Sequence, residues 1–190
     1  MNVVTENKTT NKINGIDVDA LQEAIEMVRA NPVAGQTRWD ISSRWTGGTR
    51  SDHAVDGCYI GGQKIDRRFV ISIDEPLELC GTNQYPNPQE YLLAATNACM
   101  MVGYVAIAAL MGVKLTHLEI HTCGDIDLQG FFGLDPAVVP GYESLQQTVT
   151  IAGDGTPDQF REIHERVKQT SPNYFNITHA IGLHSRLEIQ

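Results

Sequence analysis

The stretch of sequence that decides the fold covers residues 87–112 and reads NPQEYLLAATNACMMVGYVAIAALMG. It opens with a helix start. The Asn87 side chain can accept from free backbone N–H groups, Pro88 has no N–H to leave unpaired, and Glu90 can reach back to the cap. Gly112 follows the apolar run and is the expected C-terminal cap. The sequence therefore predicts one long helix across this stretch.

The predicted central helix is apolar on every side, because no residue from 91 to 111 is charged. Such a helix must be surrounded by protein or by lipid. Its length would suffice for a membrane span. However, it is alone, it is capped, and the segments on both sides alternate like the strands of a soluble protein. We therefore predict a buried core helix with one thiol, Cys99, in its middle.

Composition excludes some classes of function. The 190 residues are 42% apolar and 19% charged, as in ordinary globular domains, and the net charge is −9. A negative chain lacks the basic surface that nucleic acids and anionic membranes require, so neither is expected as a partner. The polar first residues lack the apolar core of a signal peptide, so a cytoplasmic location is expected. We predict a disordered lead-in at 1–15 and a single domain at 16–190.

Upstream of the central helix, the pattern predicts one helix and three strands. The helix, at 17–30, should begin at about Asp19, with Gln22 completing a capping box. The three strands are recognised by alternating apolar residues and by the glycine pairs between them. They are predicted at residues 39–45, 54–59 and 69–73.

Downstream, three further strands and one helix are predicted. The strands are expected at residues 115–128, 145–152 and 177–189. The helix should begin at Thr156, where Gln159 completes a capping box, and should end at Ser171, which precedes a proline. This order of elements predicts an α+β fold, with helices packed on one face of a mainly antiparallel sheet.

The cysteines are candidates for chemistry, but their residue context leaves two interpretations open. None of the four lies in a C-x-x-C pair, so neither a zinc ribbon nor a thioredoxin motif is present. Cys99 could be a small core residue, and Glu90 only the acid of its capping box. Nine residues of helix separate these two side chains by about half a turn and about 13 Å. A site that uses both therefore needs a bent helix or a second chain, and it would lie at a dimer interface.

A second candidate site lies on one face of the strand predicted at 115–128. The side chains on this face are of the types that bind metals: His117, Glu119, His121, Cys123 and Asp125. Alternate residues lie about 6–7 Å apart, so two imidazoles could share a metal. A metal site also needs converging ligands and a second layer of supporting groups, so a solvated outer face is favoured and no metal is expected. His164 and His184 are isolated and are predicted to lie at the surface.

Several motifs resemble those of one known family, the OsmC/Ohr proteins (osmotically inducible protein C and the organic hydroperoxide resistance proteins). The motifs span nearly the whole chain: W-x-G-G-x-R at 45–50, DEP at 74–76, GTN at 81–83, PNPQEYLLAATNAC at 86–99 and SPNY at 171–174. The segment INGIDVDAL at 13–21 resembles a longer subgroup of the family. The resemblance implies an intertwined homodimer, each half with a curved sheet around long central helices. It also implies a peroxide-reducing thiol site at the dimer interface.

The resemblance also implies roles for individual residues. Cys99 matches the peroxidatic cysteine, Arg50 the arginine that activates the thiolate, and Glu90 the glutamate that orients this arginine. The family's resolving cysteine corresponds to Ser171, which cannot form a disulfide. Cys80 is the only other cysteine on the approach to the central helix.

The implied function is a cofactor-free thiol peroxidase that reduces small or organic hydroperoxides in oxidative stress. Because the resolving cysteine is replaced, an external thiol would have to reduce the oxidised Cys99. The alternative is a non-catalytic protein of the same fold that binds a small apolar ligand.

Overall fold

The computed structural model describes residues 11–189. The chain divides into two compact units, Met1–Leu92 and Leu93–Gln190. Of the predicted disordered lead-in, residues 1–10 lie outside the described residues. The prediction is wrong for the part that follows, because strand β1 (Lys12–Ile13) pairs antiparallel with β2 (Ile16–Asp17). The single domain predicted for 16–190 stays a prediction.

Helix α1 (Val18–Ala30) of the first unit begins at a different cap from the one predicted. Asp17, in extended conformation at the end of β2, accepts a hydrogen bond from the backbone N–H of Ala20 at 3.1 Å. The predicted cap at Asp19 is therefore wrong: Asp19 lies in the first helical turn, where its charge favours the helix N-terminus. The helix ends before Asn31, as predicted.

The first unit is built around a four-stranded antiparallel sheet with one long strand at its centre. The strands are β3 (Thr37–Trp39), β4 (Ser42–Gly47), β5 (Arg50–Ile60) and β6 (Gln63–Ile73). β5 pairs with β3, β4 and β6. The strand predicted at 39–45 is therefore two strands, and the one predicted at 54–59 is longer and begins at Arg50. Gly47 and Gly48 make the turn before it, with φ of 116° and 58°, which L side chains rarely adopt.

Asp74, directly after β6, organises the loop that leads to the central helix. It is fully buried and accepts hydrogen bonds from the Thr49 hydroxyl at 2.7 Å and the Thr82 hydroxyl at 2.5 Å. It also accepts from the backbone N–H groups of Thr82 at 3.0 Å and Gln84 at 3.2 Å. These hydrogen bonds, first of all the one from Thr82, hold the pKa of Asp74 well below its usual range. The DEP motif is thus a structural anchor for this loop.

The GTN motif belongs to the same loop, and close packing explains why its first residue is glycine. A Cβ atom on Gly81 would lie 1.7 Å from the carbonyl oxygen of Glu75, so only glycine allows this close approach. Thr82, the next residue, then reaches Asp74. Two of the motifs that carry the family resemblance therefore shape the approach to the central helix.

Helix α2 (Pro88–Leu110) begins as the sequence predicts and crosses the boundary between the two units. The Asn87 side chain accepts from the Glu90 N–H at 2.8 Å, and the Glu90 carboxylate accepts from the Asn87 N–H at 2.7 Å. This reciprocal pair is a capping box. After α2, Gly112 takes a positive φ of 72°.

The core of the second unit forms around the second half of α2. Buried side chains from α2 pack there with apolar residues from the turn and the strand that follow it and from a later helix: Met100, Tyr104, Ile107, Ala108, Val113, Ile120, Ile163 and Val167. The opposite side of α2 is less covered, and Val102 is 68% exposed. By length and hydropathy alone α2 could cross a membrane, but a core helix passes the same test.

Up to residue 189, the remaining elements of the second unit are two strands and three helices. β7 (Leu115–Cys123) pairs antiparallel with β8 (Gln146–Gly153). The helices are α3 (Leu128–Phe131), α4 (Pro157–Thr170) and α5 (Pro172–Thr178). Thr156 and Gln159 form the predicted capping box of α4. The described chain is thus α+β, as predicted.

Two predicted strands of the second unit are wrong in extent or in kind. The strand at 115–128 ends at Cys123, because Asp127 instead caps α3 by accepting from the Gln129 N–H at 2.8 Å. Asp125 therefore does not share a strand face with His117. The strand at 177–189 is absent: Ile177 ends up in α5, and residues 179–189 are exposed and outside any regular element. Alternation of apolar residues predicts two faces, but it does not supply a neighbouring strand.

Candidate functional site

Cys99 lies on α2 directly before the buried Met100, and its thiol is half-buried. The Ser171 hydroxyl donates a hydrogen bond to the Cys99 sulfur, with 3.4 Å between Oγ and Sγ. Ser171 is itself buried, with 5% of its surface exposed. The structure therefore brings together two of the site residues predicted from the sequence, although 72 positions separate them along the chain.

The position of Ser171 follows from the junction between α4 and α5. Its backbone N–H donates to the Val167 carbonyl at 2.8 Å and closes α4, and Pro172 cannot continue the α4 hydrogen-bond pattern. Its side chain then caps α5 by accepting from the Tyr174 N–H at 3.4 Å. The Asn173 side chain donates to the Ala95 carbonyl at 3.0 Å and ties α5 to α2. The end of α4, the cap of α5 and the contact of α5 with α2 together place the Ser171 hydroxyl beside the Cys99 sulfur.

The other three cysteines lie in different environments. Cys58 is buried in β5, whereas Cys80 and Cys123 are exposed. Cys80 has a left-handed backbone with φ of 63° and follows a short 3-10 turn at Leu77–Leu79. All four cysteines are free thiols. A resolving role of Cys80 stays a prediction.

Arg50 opens strand β5 in the first unit, opposite Gly47. Its guanidinium carbon lies 5.5 Å from the centre of the Tyr85 ring, within the range of a cation–π contact. Its Nε is buried and, within residues 11–189, has no hydrogen-bond partner. Buried polar atoms of folded proteins are usually paired, so this nitrogen has unused hydrogen-bonding capacity.

Glu90 acts in the first turn of α2. Its carboxylate accepts from the Asn87 N–H as part of the capping box. Across residues 11–189, no ion pair or hydrogen bond joins Glu90 to Arg50. Glu90 therefore has a structural role as the acid of the capping box, whereas its orientation of Arg50 stays a prediction.

The second unit contains a part-buried hydrogen-bonded pair that the sequence pattern does not predict. Tyr104 is completely buried, and its hydroxyl shares a hydrogen bond with Nδ1 of His164. Burial raises the pKa of Tyr104 to about 12. The prediction of His164 as an isolated residue is wrong, because it bonds to Tyr104, and its side chain is partly exposed. The signal was present: with Phe160, Ile163 and Val167, position 164 completes the helical spacing of a buried stripe.

A polar network also anchors α2 near Cys99. The Asn97 carbonyl oxygen accepts from the Thr122 hydroxyl at 2.6 Å and from the Gln147 amide at 3.2 Å. Its amide nitrogen donates to the Ile120 carbonyl at 3.3 Å. These hydrogen bonds join α2 to β7 and β8 two residues before Cys99, and they restrict rotation of the helix that carries the thiol.

A cavity of about 300 Å³ lies in the second unit beside these elements. Its wall combines polar and apolar side chains, among them Thr96, Thr122, Leu145, Gln147, Tyr174 and Ile177. The face of β7 that carries the candidate metal ligands is solvent-exposed. There, Nε2 of His117 lies 3.6 Å from a carboxylate oxygen of Glu119, and both side chains are exposed. Among residues 11–189, no group of three or more His, Cys, Asp or Glu side chains could hold a metal ion.

The fold and the site define a class: an α+β protein with one half-buried thiol on a central helix and a hydroxyl against it. The family model described as OsmC-like protein matches residues 81–185, which include Glu90, Cys99 and Ser171. The chain belongs to the OsmC-like family, as its motifs predicted.

Solved structures agree with this fold. An OsmC-like protein from Mycoplasma pneumoniae is similar with a TM-score of 0.58 and 15% identity, over 74% of this chain and 87% of that one. An OsmC-like protein of unknown function from Vibrio cholerae O1 biovar eltor gives a TM-score of 0.51 and 14% identity, over 72% and 91%. No curated protein matches the chain.

Proposed function

We propose that this protein is a thiol-dependent peroxidase that reduces organic or small hydroperoxides through Cys99. Membership of the OsmC-like family supports a peroxide-related redox role. The observation that carries the proposal is the contact of the Cys99 sulfur with the hydroxyl of Ser171 on a half-buried helix surface. The hydroxyl also caps α5, and its additional contact with the sulfur gives position 99 a polar neighbour that suits a reactive thiol.

The proposed reaction has one catalytic cysteine. The Cys99 thiolate attacks the terminal oxygen of the hydroperoxide, and the O–O bond breaks. The sulfur becomes a sulfenic acid, and the leaving alkoxide takes up a proton to give the alcohol. One external thiol then forms a mixed disulfide with release of water. A second thiol attacks the mixed disulfide, regenerates Cys99 and leaves the reductant as a disulfide.

The proposal assigns supporting roles to Arg50 and Glu90. Arg50 would stabilise the thiolate and the charge that develops on the oxygen, because a guanidinium can donate several hydrogen bonds at once. Its unpaired Nε supports this assignment. Glu90 begins the helix that carries Cys99, and the family resemblance adds the orientation of Arg50 to that capping role.

The expected partners follow from this chemistry. The protein would act without a cofactor, as a homodimer, on a hydroperoxide and a thiol reductant, and not on nucleic acid or membranes. Four free thiols fit the reducing cytoplasm, which is the proposed location. Exposed apolar side chains of the sheet in the first unit, such as Trp45 at 73% and Val70 at 68%, support an association with a second chain.

The cavity beside α2 favours a second candidate, a non-catalytic protein that binds a small apolar ligand. Leu145, Tyr174 and Ile177 give this cavity apolar surface. Such a protein would bind a ligand without consuming it, and Cys99 would be a packing residue.

Consumption of cumene hydroperoxide by the reduced protein, with a dithiol as reductant, separates the two candidates. We expect turnover in the wild type and in Cys123→Ser, the control that removes an exposed thiol, and none in Cys99→Ser. Equal turnover in the wild type and in Cys99→Ser would reject the peroxidase. Ligand binding without any turnover would favour the second candidate.

A further inference from the structure

The hydrogen-bond geometry of Ser171 defines the direction of its hydroxyl proton. A serine hydroxyl has one proton to donate and lone pairs to accept with. One lone pair takes the N–H of Tyr174 at 3.4 Å, in the N-terminal cap of α5. Among residues 11–189, the acceptor recorded for the proton is the sulfur of Cys99. The cap therefore orients the oxygen so that its proton faces the thiol.

Burial strengthens this arrangement. Ser171 is only 5% exposed, so water has little access to its hydroxyl. A hydrogen bond to an ionised group is stronger than one to a neutral group, and exclusion of water strengthens it further. A thiolate gains such a bond, whereas a neutral thiol gains only a weak one. The contact thus supplies the sulfur with a buried hydrogen-bond donor.

We infer that Ser171 is a positioning residue for the Cys99 thiolate: its hydroxyl donates to the sulfur, fixes the side-chain rotamer and increases the thiolate fraction. The same proton can be donated to the oxygen of a sulfenate after the reaction with peroxide. Ser171 then has a role of its own at the position of the family's resolving cysteine: it donates a hydrogen bond to the reactive sulfur. The importance of this role for turnover rests on the proposed function, but the effect on the thiolate does not.

A purely structural role is the competing explanation, because Ser171 also caps α5. Two substitutions separate capping from donation. Glycine is nearly as good as serine at a helix N-cap but has no hydroxyl, so Ser171→Gly keeps most of the cap and removes the donor. Ser171→Thr keeps both. Ser171→Ala loses both and serves as the reference for the complete loss.

The test measures the rate of iodoacetamide alkylation of Cys99 against pH, read by peptide mass so that the exposed cysteines do not interfere. In Ser171→Gly and Ser171→Ala, we expect the midpoint of the profile to rise by about one pH unit. This shift corresponds to a roughly tenfold lower thiolate fraction below the midpoint. Ser171→Thr should stay within a few tenths of a unit of the wild type. Thr156→Ala, which removes the cap of α4 at its far end from Ser171, is the control and should leave the profile unchanged.

An unchanged midpoint in Ser171→Gly would overturn the inference, as would an equal rise in Ser171→Thr and Ser171→Gly. If Ser171→Ala does not fold, the comparison of Ser171→Gly with Ser171→Thr still distinguishes donation to the sulfur from capping of α5. The outcome is also distinct from the fate of the proposed function. A shifted alkylation profile without any peroxide turnover in the wild type would leave the thiolate contact standing and reject the peroxidase.

Discussion

Tyr104→Phe tests the hydrogen bond between the buried Tyr104 and the partly exposed His164 in the second unit. The substitution keeps the ring that packs against Met100 and Ile163 and removes only the hydroxyl that bonds to His164. An intramolecular hydrogen bond contributes about 0.5–1.5 kcal/mol to stability. At pH 7–9 we therefore expect the variant to be about 1 kcal/mol less stable than the wild type.

At alkaline pH, Tyr104→Phe should become more stable than the wild type. The pKa of Tyr104 is raised to about 12 in the folded protein, against about 10 for an ordinary tyrosine. A raised pKa means that the unfolded chain loses its proton first, so the wild type loses stability between about pH 10 and 12. A difference of about two pH units corresponds to at most about 3 kcal/mol. Tyr104→Phe lacks this loss, so it should equal and then exceed the wild type as the pH approaches 12.

The assay is urea unfolding of both proteins from pH 7 to 12, at one protein concentration, because oligomers unfold in a concentration-dependent way. Tyr59→Phe, which removes a partly exposed phenol, is the matched control. A stability difference between wild type and Tyr104→Phe that stays constant over this pH range would refute the reasoning.

Three other predictions concern the loop, the cation and the assembly. Asp74→Asn should lower the melting temperature at pH 7, and the difference should shrink below about pH 4, because the depressed pKa of Asp74 stabilises the fold only while the carboxylate is ionised. Equal losses at pH 7 and pH 3 would contradict this. Arg50→Ala should slow oxidation of Cys99 about tenfold or more, with partial rescue by Arg50→Lys, in stopped-flow measurements; identical rates in all three proteins would remove Arg50 from the site. Sedimentation should give a stable dimer, and a folded monomer at micromolar concentration would count against the intertwined architecture.

Local signals predicted the parts of the fold that depend on neighbouring residues. The capping boxes at Asn87 and Thr156 each need only two side chains three positions apart, and both are present as predicted. The sequence predicts the cap at Asp19, whereas the cap is Asp17. The strand pair before α1 determines where the helix begins, and strands of two residues are too short to show alternation in the sequence. The alternation at 177–189 predicted a strand, yet it contains no information about a partner.

Contacts between residues that are far apart in the sequence could not be predicted from the residue patterns. Nothing in the spacing of Cys99 and Ser171 indicates that they touch, and only the family resemblance pointed to that pair. The hydrogen bonds to Asp74 come from Thr49, which is 25 positions earlier in the chain, and from Thr82, which is 8 positions later, so residue spacing does not predict them. His164 lacked a visible partner because Tyr104 is 60 positions away.

Sulfenic acid at Cys99 is the most direct measurement of the central claim. The reduced protein is treated with a stoichiometric amount of cumene hydroperoxide in the presence of dimedone, and the label is located by peptide mass. We expect dimedone on Cys99 first, before the more exposed Cys80 and Cys123, and no early label in Cys99→Ser. Early labelling that is spread over the exposed cysteines and is unchanged in Cys99→Ser would contradict the claim that Cys99 is the peroxide-reactive residue.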